Sequence, residues 1–202
     1  MNEKEKIANY SKDVFFKSGF YKITMDEIAQ GLRVSKKTIY KYFPSKNILL
    51  ENVIKAFMNS TKKRLLKNIS EQENSILKIK SLTEAFAELS LKLNQKLLYD
   101  LQTHMPELWE SVESFRGEVI KSIWEDIINQ GKKEGYIVDK PNDIIITVIY
   151  AAIRSIINPT FLLNHNYSIN EAFKITFDLL IQGLLTPEGL KVYKNIEKEN
   201  TK

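Results

Sequence analysis

The chain has 202 residues, of which 43% are hydrophobic and none is cysteine, so it can bury a full core but cannot build a disulfide framework or a thiolate metal site. Its formal net charge is +5, and the excess is local: residues 1–47 hold ten Lys and Arg against five Asp and Glu, while residues 48–202 hold twenty of each. Five prolines and seven glycines leave room for long helices and little for a hairpin-rich β fold, so the expected fold class is all-α.

A local basic excess is either the footprint of a polyanion-binding surface or a solvated lysine-rich face, and charge alone does not separate the two. The opening stretch MNEKEKIANY has no apolar signal-peptide core. The longest strongly apolar run, 144–157, is interrupted by Thr147, Tyr150, Arg154 and Ser155, so no membrane span is expected. The expected location is cytoplasmic.

In chain order, Ile7, Ala8, Val14 and Phe15 recur at helical steps over 3–18, with Gly19 as a stop. Thr24-Met25-Asp26-Glu27 is a capping box: the hydroxyl takes the Glu27 amide and the Glu27 carboxylate reaches back. It opens a second helix whose Ile28 and Ala29 face inward, Ala29 being small enough to let the next helix approach. That helix ends around Gly31 and Leu32, and Arg33 and Val34 form a turn. Ser35 caps a third helix from Lys36 to about Tyr42. Ile39 and Phe43, four apart, belong in the core with Val34. That leaves Lys36, Lys37, Tyr40 and Lys41, with parts of Ser35 and Thr38, on the outer surface. A helix fits the major groove of B-DNA, and such cations and hydroxyls bond phosphates and base edges. Pro44 stops the helix. Ser45 caps a fourth and puts Lys46 in its first turn, where it opposes the helix dipole but is placed to share a phosphate with backbone amides.

The pattern T-x-x-x-I-A at 24–29, V-S-x-x-T-x-Y-x-Y-F at 34–43 and S-K at 45–46 resembles the signature of the TetR (tetracycline-repressor-like) family of bacterial transcriptional regulators, over residues 7 to about 54. The resemblance implies a helix-turn-helix in which Ser35, Lys36, Lys37, Tyr40 and Lys41 approach the DNA groove while Thr24, Thr38, Tyr42 and Lys46 hold phosphates. Each residue also has a structural reading: Thr24 and Ser35 as plain caps, Tyr40 and Tyr42 as half-buried packing, the lysines as solvated surface. The chain departs from the family at Leu32-Arg33, where many members have Ala-Gly. The glycine serves a turn residue that often has positive φ, so Arg33 is either a strained turn residue costing ~1 kcal/mol, a further cation toward DNA, or both.

Beyond the motif, the fourth helix continues to about Leu66. Ser70-Glu71-Gln72-Glu73 reads as a second capping box opening a fifth helix, and a sixth segment covers roughly 95–104. Residues 107–134 form one long helix ended by Gly135. The next begins near Pro141, runs to about Leu163 with a kink or break at Pro159, and is apolar nearly all round, which requires cover on most sides. Ser168 and Glu171 form a third capping box, and a short helix or tail starts at Thr186-Pro187. The expected division is a DNA-binding domain at 1–47 and a helical ligand-binding and dimerisation domain at 48–202. The apolar helices at 141–163 and 168–184 carry more buried surface than one subunit needs, unless both simply fill the monomer core. A two-fold interface there agrees with where the family dimerises.

No catalytic or metal constellation is present: the histidines are His104 and His165, and no catalytic motif occurs. Asp100 and His104, four apart, form either a surface pair or a weak ligand pair. No enzyme activity and no cofactor are expected. The resemblance implies a pocket within the helices of 73–163 whose occupation shifts the fourth helix and spreads the DNA modules. Phe86, Tyr99, His104, Trp109, Phe115 and Tyr150 are candidate lining for an apolar or amphipathic effector, or ordinary core residues. Arg154, in an apolar helix, needs a partner: an acidic side chain, a helix C-terminus or a ligand carboxylate. The expected function is a homodimeric repressor of a palindromic double-stranded operator, released by a small inducer. The alternative is a similar DNA-binding dimer acting through a protein partner without an inducer.

Overall fold

The computed structural model describes residues 2–199, and among them the helices are α1 (Glu3–Ser18), α2 (Met25–Leu32), α3 (Lys36–Tyr42), α4 (Lys46–Ser70), α5 (Ser75–Lys92), α6 (Gln95–His104), α7 (Pro106–Lys133), α8 (Asn142–Ile156), α9 (Pro159–His165), α10 (Ile169–Leu184) and α11 (Pro187–Glu199). The all-α expectation holds: no strand longer than an isolated bridge, Ile137 to Leu185, occurs among the described residues. The chain forms two compact units, Met1–Thr61 with Lys92–Val112, and Lys62–Leu91 with Glu113–Lys202. Helices α4 and α7 contribute to both.

In the first unit, α1 starts on a capping box in which Asn2 Oδ1 accepts from the Glu5 amide at 2.9 Å and Glu5 Oε2 accepts from the Asn2 amide at 3.0 Å. Its inward residues Ile7 and Phe15 meet Phe20, Ile28, Ile39, Phe43 and Leu49 in a core from which water is almost excluded. Each such side chain contributes about 1.5–3 kcal/mol by burial. Two glycines permit the tight spots. A Cβ at Gly31 would collide with the Tyr10 side chain, so Gly31 makes the room in which the Tyr10 hydroxyl packs against α2. Gly19 ends α1 at φ 76°, a left-handed value that side chains resist, and a Cβ there would sit 2.6 Å from Asp100 Oδ2. That carboxylate belongs to α6, whose Leu97, Leu98 and Leu101 are buried.

In the second unit, Ile76, Ile79 and Leu82 of α5, Val119, Ile123, Trp124 and Ile127 of α7, and Phe173, Phe177 and Ile181 of α10 form the core. Phe177 lies 6.1 Å from Trp124 and 5.2 Å from Phe173, centroid to centroid, within the range where aromatic pairs attract. The capping box expected at Ser70 is not formed. Ser70 is the last residue of α4, and its hydroxyl donates to the Lys67 carbonyl at 2.8 Å. Helix α5 starts at Ser75 instead, with Asn74 Oδ1 accepting from the Leu77 amide at 2.9 Å. The Ser75 amide and hydroxyl donate to Glu134 at 2.9 and 2.5 Å. The acid that serves this helix start therefore comes from a residue 59 positions away, so the local pattern misleads.

Pro159 separates α8 from α9, which is capped by Asn158 Oδ1 accepting from the Thr160 amide at 2.9 Å. The two helices are bent 59° from one another, and no single helix among the described residues is long and apolar enough to cross a membrane. Ser168 and Glu171 form the expected capping box on α10. Cover over the apolar helices is incomplete. Ile144 and Val148 of α8 and Ile175 and Leu179 of α10 face solvent, Leu179 at 67% exposure. Between α8, α9 and α10 lies a groove of about 400 Å³, lined by Ala152, Ile156, Phe161, Ile175, Leu179 and Leu180 among others.

Candidate nucleic-acid interface

Helices α2 and α3 are short, and caps set both starts. Thr24 Oγ1 accepts from the Glu27 amide at 3.2 Å, and Glu27 Oε2 accepts from the Thr24 amide at 2.7 Å. The Thr24 hydroxyl also donates to Glu27 Oε2 at 2.9 Å, and the bonds from the Thr24 amide and hydroxyl hold the Glu27 carboxyl below its ordinary value. The turn follows. Arg33 sits at φ 55°, ψ 41°, the left-handed conformation that glycine would adopt freely. Its amide donates to the Gln30 carbonyl at 3.1 Å, and the next amide, of Val34, reaches the Ala29 carbonyl at 3.0 Å. Ser35 Oγ then accepts from the Thr38 amide at 3.0 Å, and the two hydroxyls lie 2.8 Å apart.

With Ile39 and Phe43 buried, α3 turns Ser35, Lys36, Lys37, Tyr40 and Lys41 outward on one face, Tyr40 at 47% exposure. Thr24 and Arg33 are exposed as well, while Thr38, Tyr42 and Lys46 are half-buried. Lys41 lies over the Tyr42 ring, 5.1 Å from its centroid. Lys36, Tyr42 and Lys46 are tied to other segments of the chain. Lys36 pairs with Asp26 of α2. The Tyr42 hydroxyl donates to Glu3 Oε2 at 2.9 Å. Lys46 Nζ donates to the carbonyls of Phe20, Tyr21 and Ile23 at 3.2, 2.8 and 2.9 Å, and burial lowers its pKa.

The residues named as possible effector contacts fall in different places. Tyr99 is exposed on α6, His104 stacks on Tyr21 at 3.7 Å, and Trp109 is buried, all in the first unit. Phe86, Phe115, Tyr150 and Arg154 belong to the second. Phe86 packs on Phe173 at 5.3 Å, and Lys62 lies over Phe115 at 5.7 Å. The Tyr150 ring covers Gly117, where a Cβ would meet it at 3.3 Å. Arg154 does have an acidic partner: its Nε lies 3.4 Å from Glu113 Oε2, and Arg116 Nη1 lies 2.9 Å from Glu113 Oε1. Glu113 is only 4% exposed. Burial lowers the Arg116 pKa, which Glu113 opposes. Sequence reasoning missed Glu113 and Arg116. Their i,i+3 spacing on a long helix was the available sign. Asp100 was noted beside His104, yet its partners are the amides of Phe20 and Tyr21.

Residues 9–53 match the family model of bacterial regulatory proteins, tetR family. The chain is 26% identical over 173 residues to the HTH-type transcriptional regulator YvaF of Bacillus subtilis, covering 83% of this chain and 88% of that one. It is 24% identical over 144 residues to the HTH-type transcriptional repressor KstR2 of Mycobacterium tuberculosis, covering 70% of each. In fold it is similar to a transcriptional regulator from Saccharomonospora viridis solved in complex with choline, with TM-score 0.72, 16% identity and coverage of 91% and 97%. The helix-turn-helix that the spacing at 24–46 implied is thus found both in the geometry and in the match of residues 9–53 to the tetR family model.

Proposed function

We propose that this protein is a homodimeric repressor whose α3 helices enter successive major grooves of a palindromic operator about one turn (~34 Å) apart. The observation that carries this reading is the outward face of α3, where Ser35, Lys36, Lys37, Tyr40 and Lys41 stand together over a buried Ile39. In this reading, residues 1–47 do the DNA contact. Thr24, Arg33, Thr38, Tyr42 and Lys46 flank the groove-reading residues. Residues 48–202 dimerise and take a small apolar or amphipathic effector. Ile144, Val148, Ile175 and Leu179 of α8 and α10 face solvent, and this exposed apolar face supports a two-fold interface there, with the partner copy covering it. The KstR2 relative carries the name of a repressor, which supports repression. Binding of effector favours a dimer spacing that no longer fits the operator, so affinity falls by population shift. A bacterial regulator of this kind meets the chromosome in the cytoplasm, and that is the location this reading implies.

The test is direct. Duplexes recovered from a random-sequence pool by the purified protein should share a palindrome, and log affinity should fall with log salt at a slope on the order of −6 to −8. Recovery of unrelated sequences with nearly salt-independent affinity would sink the reading.

A further inference from the structure

The connection between α1 and α2 is gripped from two sides by opposite charges. On one side, Asp100 Oδ2 of α6 accepts from the amides of Phe20 and Tyr21 at 2.9 and 3.0 Å. On the other, Lys46 Nζ of α4 donates to the carbonyls of Phe20 and Tyr21, and to that of Ile23, immediately before the α2 cap. The peptide groups of residues 20–21 lie between a carboxylate and an ammonium, each bonded to the matching end of the backbone. Asp100 is 5% exposed, and such charge-assisted bonds in a dry setting are about twice as strong as neutral ones. Three further contacts hold the same place. Asn94 Nδ2 donates to the Lys17 carbonyl at 2.8 Å, the His104 ring stacks on Tyr21, and Lys46 lies 5.5 Å from the Phe20 ring centroid. Gly19 leaves room for the carboxylate, since a Cβ there would sit 2.6 Å from it.

We infer that Asp100 and Lys46 are positioning residues for DNA binding: they set the α1–α2 connection, and through it the start of α2 and the presentation of α3, with Lys46 acting as a backbone clamp instead of a phosphate contact. Asp100 is 5% exposed, and a carboxylate taken out of water carries a desolvation cost that its bonds to the loop must offset. Burial weakens the charge on Lys46 and Asp100 opposes that loss, so each half of the clamp sustains the other. The inference rests on the DNA-binding reading above, and recovery of duplex by the unsubstituted protein is the control that separates failure of one from failure of the other.

The experiment compares full-length Asp100→Asn, Asp100→Ala, Lys46→Met and Lys46→Arg with the unsubstituted protein on a duplex recovered as above, at several salt concentrations and below every variant's melting temperature. Both Asp100 variants should weaken binding about tenfold or more although each removes a negative charge. Lys46→Met should weaken it comparably with the salt slope unchanged, and Lys46→Arg, which keeps the donors and the charge, should restore most of it. In NMR spectra, the amide protons of Phe20 and Tyr21 should move upfield in Asp100→Asn. If Asp100→Ala does not fold, the near-isosteric Asp100→Asn carries the comparison. Equal or tighter binding by the Asp100 variants would overturn the inference. So would a slope reduced by about 0.9 for each lysine lost, the mark of a phosphate contact.

Discussion

Arg154 of α8 and Glu113 of α7 meet at 3.4 Å, and Glu113 meets Arg116 on its other oxygen at 2.9 Å. One buried acid therefore serves two guanidiniums. Removing it takes the shared acid from the half-buried Arg116 and leaves two cations as neighbours, whereas removing Arg154 takes away a half-exposed partner and leaves the Glu113–Arg116 pair. Glu113→Gln should cost about 3–5 kcal/mol of unfolding free energy, and Arg154→Met about 1 kcal/mol or less. Urea denaturation of the two variants measures the difference, and equal costs would show that the acid is not shared in this way.

Arg33 holds a left-handed conformation. Arg33→Gly relieves a strain of roughly 1–2 kcal/mol but frees the unfolded chain by about 0.5–1 kcal/mol. The net should be a more stable protein by roughly 0.5 kcal/mol, read by thermal denaturation. In the proposed complex Arg33 also supplies a cation close to DNA, so the same variant should bind duplex more weakly across all sequences. A variant that gains stability and keeps its affinity would make Arg33 a turn residue alone.

The exposed pair Ile175 and Leu179 on α10 forms the centre of the proposed dimer face. Ile175→Glu with Leu179→Glu places two carboxylates where the partner copy would desolvate them. The dimer dissociation constant should rise by about a hundredfold or more, measured by sedimentation equilibrium, with the isolated subunit still helical by circular dichroism. An unchanged dimer would move the interface elsewhere.

How far the fold could be read from the sequence depends on how local its causes are. The starts of α1 to α3 and of α10 follow from caps and apolar steps a few residues apart, and the spacing of Thr24, Ala29, Ser35, Tyr40 and Tyr42 was enough to name the family. The start of α5 was misplaced because its acid, Glu134, arrives from 59 residues away. The partner of Arg154 was open because Glu113 lies on another helix. Asp100 gave no sign of its role, since backbone amides have no sequence signature. Exposure of Lys36, Lys37, Tyr40 and Lys41 followed from the helical period once Ile39 and Phe43 were assigned to the core. The partners of Lys36, Tyr42 and Lys46 did not follow, because they depend on how α1, α2 and the loop at 20–23 come back against α3 and α4.

The compact unit that holds the helix-turn-helix takes one of its helices from residues 92–112, beyond a 30-residue excursion into the other unit. A transplant of this DNA-reading head onto a different sensor therefore needs two inserts. A fusion joined after Thr61 would carry the motif but leave the amides of Phe20 and Tyr21 without their carboxylate and expose the face that Leu97, Leu98 and Leu101 cover. A chimera that also grafts 92–112 brings both back, and its splice points fall inside α4 and α7, where helical phase must be kept on each side of the join, and at the end of α5.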